Sequence, residues 1–343
     1  SMHWKYAWNR TARRRVARSC LGCRRPARLL VGLLQLAIAA SSAASRASDD
    51  ANVLRIDNGT MLVGIDRDKG ASITWISWTE YPQNCVNVHD PGRLIQQSYY
   101  SGKSLDRTSD GQSPSWSPWP WNPIQGGGVE SWARVTQFSK IDAKSLESQT
   151  IPKLWDMPNE EADAVMLQST QFESAIPRAI VVHNRLVCHR SDGDAWGPAT
   201  KSPQEIPACY FTRNFDQFAS YLGDGKWRPE TQAPGPPWGR VNPPKKALAC
   251  FNPTGQGIAV FSPTSGDNWN FGPHGTATST DPQSGPCVHM APIAIVTLGP
   301  KSSYAYRYWL VVGNRDQLSV ALDALYAKYA GDRHNLSQVA TPP

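Results

Sequence analysis

The sequence predicts an all-β protein. It reads as a single large antiparallel β-sandwich, of jelly-roll or supersandwich type, with long Trp/Gly/Pro loops and one C-terminal helix. Three observations carry this. Strand-length runs of alternating or β-branched residues recur along most of the chain, punctuated by turn residues. Only one stretch, near the C-terminus, has helical spacing. No βαβ alternation, Gly-rich phosphate loop or internal repeat is found.

The 343 residues carry a formal charge of +7, but the charge is uneven. Residues 1–48 hold ten Lys/Arg and no Asp or Glu; the remaining 25 basic and all 28 acidic side chains lie in 49–343. The body is therefore mildly acidic and lacks the basic face a nucleic-acid partner needs. In the head, an Arg-rich segment precedes the apolar run 29–40 and then small residues 41–48. That order predicts a secretory signal peptide and a secreted or periplasmic protein. The run is shorter than the ~20 residues of a membrane span, so no stable span is expected after cleavage. The predicted domains are 1–48, signal peptide and basic leader; 49–315, β-sandwich; and 316–343, a helix and tail packed on the same domain.

In chain order, Val53–Asp57 and Met61–Asp66 flank Asn58-Gly59, a strong hairpin signal. Ser72–Trp78 follows the turn 67–70 and continues an antiparallel meander. Residues 101–128 are rich in Gly, Pro, Ser and Trp and predict a long ordered loop, because Pro removes ladder donors. Strands are expected at 133–138, 164–172 and 179–189. A second Pro/Gly loop spans 223–244. The hairpin 246–251/257–262 turns at 253–256, a third loop covers 265–275, and 288–298 pairs with 304–312. Asp316 is the expected cap of a helix over Leu318, Ala321, Leu322, Leu325, Tyr326 and Tyr329, ending at Gly331. The tail 338–343 is expected to fray.

Seven cysteines are present, of which Cys20 and Cys23 lie in the leader. The other five, Cys85, Cys188, Cys209, Cys250 and Cys287, show no metal-ligand spacing and allow up to two disulfides in an oxidising compartment. No metal and no cofactor are expected.

Function is read first from 89–102, which packs His89, Asp90, Arg93, Gln96, Gln97, Ser98, Tyr99 and Tyr100 into one strand-length run. Both faces carry hydrogen-bonding groups, as in the floor of a binding cleft. Parity puts Gln96, Ser98 and Tyr100 on one face and Arg93, Gln97 and Tyr99 on the other. The first face is preferred, with Asp90 and Arg93 entering from the turn. Two further motifs stand out: Trp121-Asn-Pro-Ile-Gln-Gly-Gly and Gln204-Glu-Ile-Pro-Ala-Cys-Tyr. With Gly92-Arg-Leu-Ile-Gln-Gln-Ser-Tyr-Tyr-Ser-Gly they resemble a set found in secreted, largely uncharacterised β-sandwich proteins, similar to carbohydrate-active enzymes. The resemblance covers roughly residues 53–312. It implies that Arg93, Gln96, Ser98, Tyr100, Asn122, Gln125, Gln204, Glu205 and Tyr210 occupy motif positions.

Sugars are bound by aromatic faces and by planar polar groups. Fourteen Trp is high for this length, and Trp116, Trp119, Trp121, Trp196, Trp227, Trp238 and Trp269 lie in polar loops. Large rings also serve to cap loops onto a core. The expected partner is thus a polysaccharide or oligosaccharide, and the first reading is a glycoside hydrolase. Glu205, flanked by Ile206 and Pro207, is the candidate general acid and Asp90 the matching base or nucleophile, since glycosidases need two carboxylates. Glu130 is the reserve. A structural carboxylate paired to an Arg is the plainer alternative for Glu205. The second reading is β-elimination from a uronic acid. There Tyr100 or Tyr99, with His89 or His183, would move the proton, while Arg93, Gln96, Gln97, Asn122 or Gln125 neutralises the carboxylate. Trp121, Ser98, Gln204 and Tyr210 complete the expected binding set. A lectin-like module using the same groups without chemistry is the third.

Overall fold

A computed structural model describes residues 51–90, 92–127, 132–275, 281 and 285–339. The expected leader, the reserve carboxylate Glu130 and the last four residues lie outside that set. The all-β prediction holds: the described chain builds antiparallel sheets with one α-helix.

Two sheets form the sandwich. The seven-stranded sheet runs, in spatial order, Lys153–Leu154, Pro123–Ile124, Gln96–Ser98, Thr200–Phe211, Val288–Leu298, Trp269–Pro273 and Gly239–Val241. The ten-stranded sheet runs Lys226–Glu230, Gln217–Gly223, Ala247–Phe251, Gly257–Phe261, Ser302–Gly313, Ala179–Cys188, Ala164–Phe172, Ser145–Ile151 and Arg134–Asp142, and Asn335–Gln338 adds to Ser302–Gly313. The opening meander Val53–Asp57, Met61–Asp66 and Ser72–Trp78 forms its own three-stranded sheet. One apolar core joins them: Ile73 and Ile95 from the meander side, Cys209, Phe211, Met290 and Trp269 from the seven-stranded sheet, and Met166, Val182, Val260 and Leu310 from the ten-stranded one. Burying such side chains contributes about 1.5–3 kcal/mol each.

A second cluster lies on the far face of the ten-stranded sheet, where Leu318, Leu322 and Leu325 of the helix Arg315–Tyr329 cover Ala249, Phe261, Trp309 and Val311. The cap is Asn314, two residues before the expected Asp316. Its side chain accepts from Gln317 N, and the Gln317 side chain accepts from Asn314 N, which closes a capping box. No described helix is long and apolar enough to cross a membrane.

Several expectations need correction. The run 89–102 is strand only at Gln96–Ser98 and Ser101–Leu105. The three expected loops contain short strands, Trp119–Trp121, Pro123–Ile124, Lys226–Glu230, Gly239–Val241 and Trp269–Pro273, and Pro123–Ile124 lies between two other strands of its sheet despite its Pro. Lys226–Glu230 and Gly239–Val241 are edge strands, where a missing donor costs no ladder bond, so nearby Pro is tolerated. Of the tail expected to fray, Gln338 instead ends the strand Asn335–Gln338 and pairs with Ser302, while 340–343 lie outside the described residues. The five described cysteines are buried and free, so the disulfides that secretion would permit are not formed.

Candidate functional site

The site lies on the face of the seven-stranded sheet that turns away from the core. Ile206, Cys209 and Phe211 of Thr200–Phe211 enter the core, as do Val288 and Met290 of Val288–Leu298. Tyr210 and His289 alternate with them and are paired in register, so both point outward. Glu205 is five residues from Tyr210, and a regular strand would put the two on opposite faces. One extra residue changes this. Against Val288–Leu298 the register passes from Glu205↔Ile293 to Cys209↔Met290, and against Gln96–Ser98 from Glu205↔Ser98 to Ala208↔Gln96. The bulge re-aims Glu205 to the outer face.

There Glu205 meets two proton-bearing groups. Its Oε1 is 3.2 Å from His289 Nε2, and its Oε2 accepts a hydrogen bond from Tyr100 Oη at 3.3 Å. Glu205 is 9 % exposed and His289 0 %, so a ligand can touch the carboxylate edge but not the imidazole. The His289–Glu205 contact is close but misaligned for a hydrogen bond, and neither ring nitrogen has another partner among the described residues. Catalytic contacts are often loose before substrate arrives. Aromatic rings hold the imidazole: Tyr210 and Trp238 each lie 4.4 Å from it, centroid to centroid. Gly272, paired with His289, brings no side chain to this row. Trp119 lies 6.4 Å from the Tyr100 ring and Trp116 packs on Trp119 at 5.4 Å. The partners of Glu205 are thus an imidazole and a phenol, not the guanidinium of an ordinary structural ion pair.

Asp90 sits further along. Its Oδ2 accepts from Cys287 N at 3.1 Å and lies 4.0 Å from His274 Nδ1. His274 packs on Trp238, whose other neighbour is His289. Burial first, then the Arg93 cation, pushes His274 down to about 3, so its imidazole is neutral at ordinary pH. Burial, then Asp90, pushes the Cys287 thiol well up. Arg93 lies over the Trp155 ring at 5.8 Å.

The structure therefore brings Glu205, Tyr100 and Tyr210 together and places Asp90 and Arg93 in a neighbouring group. It gives most other expected ligands a structural duty. Gln204 clasps Tyr100, accepting from its N–H and donating to its C=O, both at 2.8 Å. Gln96 donates to Gly92 O. Gln125 accepts from Gln97 N and donates to Gln168. Asn122 donates to Tyr99 O and to Ser98 Oγ and accepts from Trp119 Nε1. Gln97 donates to Leu167 O across the core. Trp121, 1 % exposed, faces the core as a platform for buried Arg190, 5.1 Å above its ring. Trp269 is buried in the core, and Trp227 bonds Ser319 of the helix. These amides and rings read as ligands because buried backbone groups and sugars ask for the same chemistry. Of the proposed histidines, His183 pairs with Arg307 on the ten-stranded sheet and His89 is exposed. His289 and His274, which line the site, had only a weak signal: His289 is a lone polar position at outward parity between Val288 and Met290.

A separate depression of about 650 Å³ is lined by Arg107, Asp110, Glu160, Asp194 and Trp196. Its Arg107 is already paired with Asp110 and Glu160, which makes it a weaker candidate.

No protein-family model matches the chain, and no curated protein sequence matches it. Solved structures similar to it include a galactose mutarotase related enzyme from Lactobacillus acidophilus, with TM-score 0.45 and 11 % identity over 77 % of this chain and 98 % of that one. A second is an aldose epimerase homologue from C. elegans, with TM-score 0.45 and 8 % identity over 76 % and 98 %. A third is a galactose mutarotase-like protein from Lactobacillus casei, with TM-score 0.44 and 9 % identity over 76 % and 100 %. These likenesses are remote.

Proposed function

We propose that this chain is an enzyme of carbohydrate chemistry in which Glu205 transfers the proton. The observation that carries the reading is the contact of one carboxylate with His289 Nε2 at 3.2 Å and Tyr100 Oη at 3.3 Å, on a face bearing Tyr210, Trp238 and Trp119. The aromatic rings suit the CH faces of a sugar. His289 is walled off from solvent and acts through Glu205, holding the carboxylate and exchanging a proton with it. Tyr100 fixes the other oxygen and reaches the ligand itself.

Hydrolysis of a glycosidic bond is the first reading, with Glu205 protonating the leaving oxygen. Asp90 makes no contact with Glu205 and its carboxylate accepts from Cys287 N–H, so the proton balance closes at Glu205: after protonating the leaving oxygen, its carboxylate, held by His289, takes a proton back from the water that attacks the sugar carbon. Elimination from a uronic acid is the second reading. The Tyr100–Glu205 contact favours it, because a phenol beside a carboxylate can serve as base and acid around C5. Against it, the amides expected to neutralise the uronate are bonded within the protein.

The test is a panel of neutral and uronic polysaccharides read two ways. New reducing ends without ultraviolet absorbance mean hydrolysis, and an absorbing unsaturated uronate means elimination. Retention of a polysaccharide on a column with no cleavage of any member would overturn the enzyme reading in favour of a binding module.

A further inference from the structure

A second constellation on the same outer face has no part in the chemistry above. Asp90, His274 and Cys287 each turn one donor atom inward, and the carboxylate oxygen, imidazole nitrogen and thiol sulfur lie within 4.8 Å of one another. Their placement is built in. His274 N donates to Cys287 O at 2.8 Å, extending the pairing of Trp269–Pro273 with Val288–Leu298, so the two side chains stand on neighbouring strands as a cross-strand pair. Cys287 N donates to Asp90 Oδ2 and docks the carboxylate from the 87–93 loop. Gly285 leaves room for it: a Cβ there would lie 3.2 Å from Asp90 Oδ1.

The independent sign is His274 Nδ1. The residue is 6 % exposed, yet this atom has no hydrogen-bond partner among the described residues. It faces Asp90 Oδ2 at 4.0 Å, too far for a hydrogen bond. An unsatisfied buried nitrogen costs about 1–3 kcal/mol. Two donors on one tetrahedral zinc ion, each about 2.0–2.3 Å from it, stand about 3.3–3.6 Å apart. The three atoms need to draw in by about 1 Å, within reach of side-chain rotation.

We propose that Asp90, His274 and Cys287 bind a divalent metal ion of the zinc class. One oxygen, one nitrogen and one sulfur suit a borderline-soft ion and not calcium or magnesium. Three protein donors leave a fourth position for water or ligand. Binding displaces the Cys287 thiol proton to solvent, leaving a thiolate on the metal. The ion ties the loop that carries Asp90 and Arg93 to the strand ends beside His289. It therefore positions one wall of the sugar-facing surface.

The experiment titrates the purified chain, stripped with chelator, with zinc and then with cobalt. The expected results are one bound equivalent, a melting temperature raised by several degrees, and a thiolate-to-cobalt charge-transfer band in the near ultraviolet. Cys287→Ser removes the band; His274→Gln and Asp90→Asn each weaken binding at least tenfold. If Cys287→Ser fails to fold, the other two variants decide. Absence of a bound equivalent, or a band that survives Cys287→Ser through another of the buried cysteines, overturns the proposal. Glu205→Gln should bind metal as the parent chain does, so failure of the carbohydrate reading leaves this titration unchanged, and the reverse.

Discussion

Glu205 is a nearly buried carboxylate with no cationic Lys or Arg side chain among its contacts with the described residues. A buried carboxylate kept for stability is paired with a cation or with several backbone N–H groups. Glu205 instead meets an imidazole off-angle and a phenol at 3.3 Å. Beneath it, Gln204 performs the structural task, satisfying both backbone groups of Tyr100 with one amide. Gln204→Ala should therefore destabilise the chain by about 1–3 kcal/mol in urea melts and loosen Tyr100. Loss of ligand binding without loss of stability would show that Gln204 is a ligand after all. At this scale the sequence was half legible. Tyr100 is read from the polar-aromatic run 89–102, Tyr210 from a motif position and Glu205 from its apolar neighbours Ile206 and Pro207, and the structure brings the three together. Gln96 from the same run, and Asn122, Gln125 and Gln204 from motif positions, bond within the protein instead, because an amide that bonds the protein is indistinguishable in sequence from one that bonds a sugar.

At the scale of elements, the bulge between Glu205 and Cys209 decides whether there is a site, since without the extra residue Glu205 and Tyr210 would lie on opposite faces. Alternation in sequence cannot reveal it, and Pro203 and Pro207 hide all of the strand Thr200–Phe211 but its strand-like end Cys209-Tyr-Phe. The strands Val53–Asp57, Met61–Asp66, Ser72–Trp78, Ala164–Phe172 and Val288–Leu298 are legible because each is a strand-length run rich in apolar, β-branched or aromatic residues bounded by turn residues. The helix Arg315–Tyr329 was legible from its apolar spacing, though not its anchor. Glu173, buried under it, accepts from Trp309 Nε1 at 2.7 Å and from Tyr329 Oη at 2.8 Å and pairs with Lys328 Nζ at 3.4 Å, bonding sheet to helix. Glu173→Ala strands a buried indole N–H, and a loss of about 2–3 kcal/mol in chemical denaturation is expected. A loss below about 0.5 kcal/mol would mean that apolar packing alone holds the helix.

At the scale of the whole molecule, the layers are distinct. The helix closes the back of the ten-stranded sheet, the core fills the sandwich, and the outer face of the seven-stranded sheet carries the Glu205 group. The sandwich needs no covalent brace. All five described cysteines are free, and Cys85, Cys209 and Cys250 are core residues. Melting temperatures with and without reductant should agree, whereas a fall of several degrees under reductant would reveal a bridge, since a native disulfide contributes about 2–5 kcal/mol. Composition predicted this architecture well, because a chain with one helical stretch and turns between strands has few other ways to bury its apolar faces. It gave no hint that Asp90, His274 and Cys287 meet, since that depends on a loop docking across strands distant in sequence.

The proposed function rests on Glu205 moving the proton in a reaction on a carbohydrate. The most direct measurement compares Glu205→Gln with the parent chain on the polysaccharide that the parent cleaves, with the melting temperature followed in parallel. A fall in kcat/KM of at least about 100-fold with an unchanged melting temperature is predicted, matching the loss of a general acid or base. A rate within a few-fold of the parent would contradict the claim and return Glu205 to a structural role.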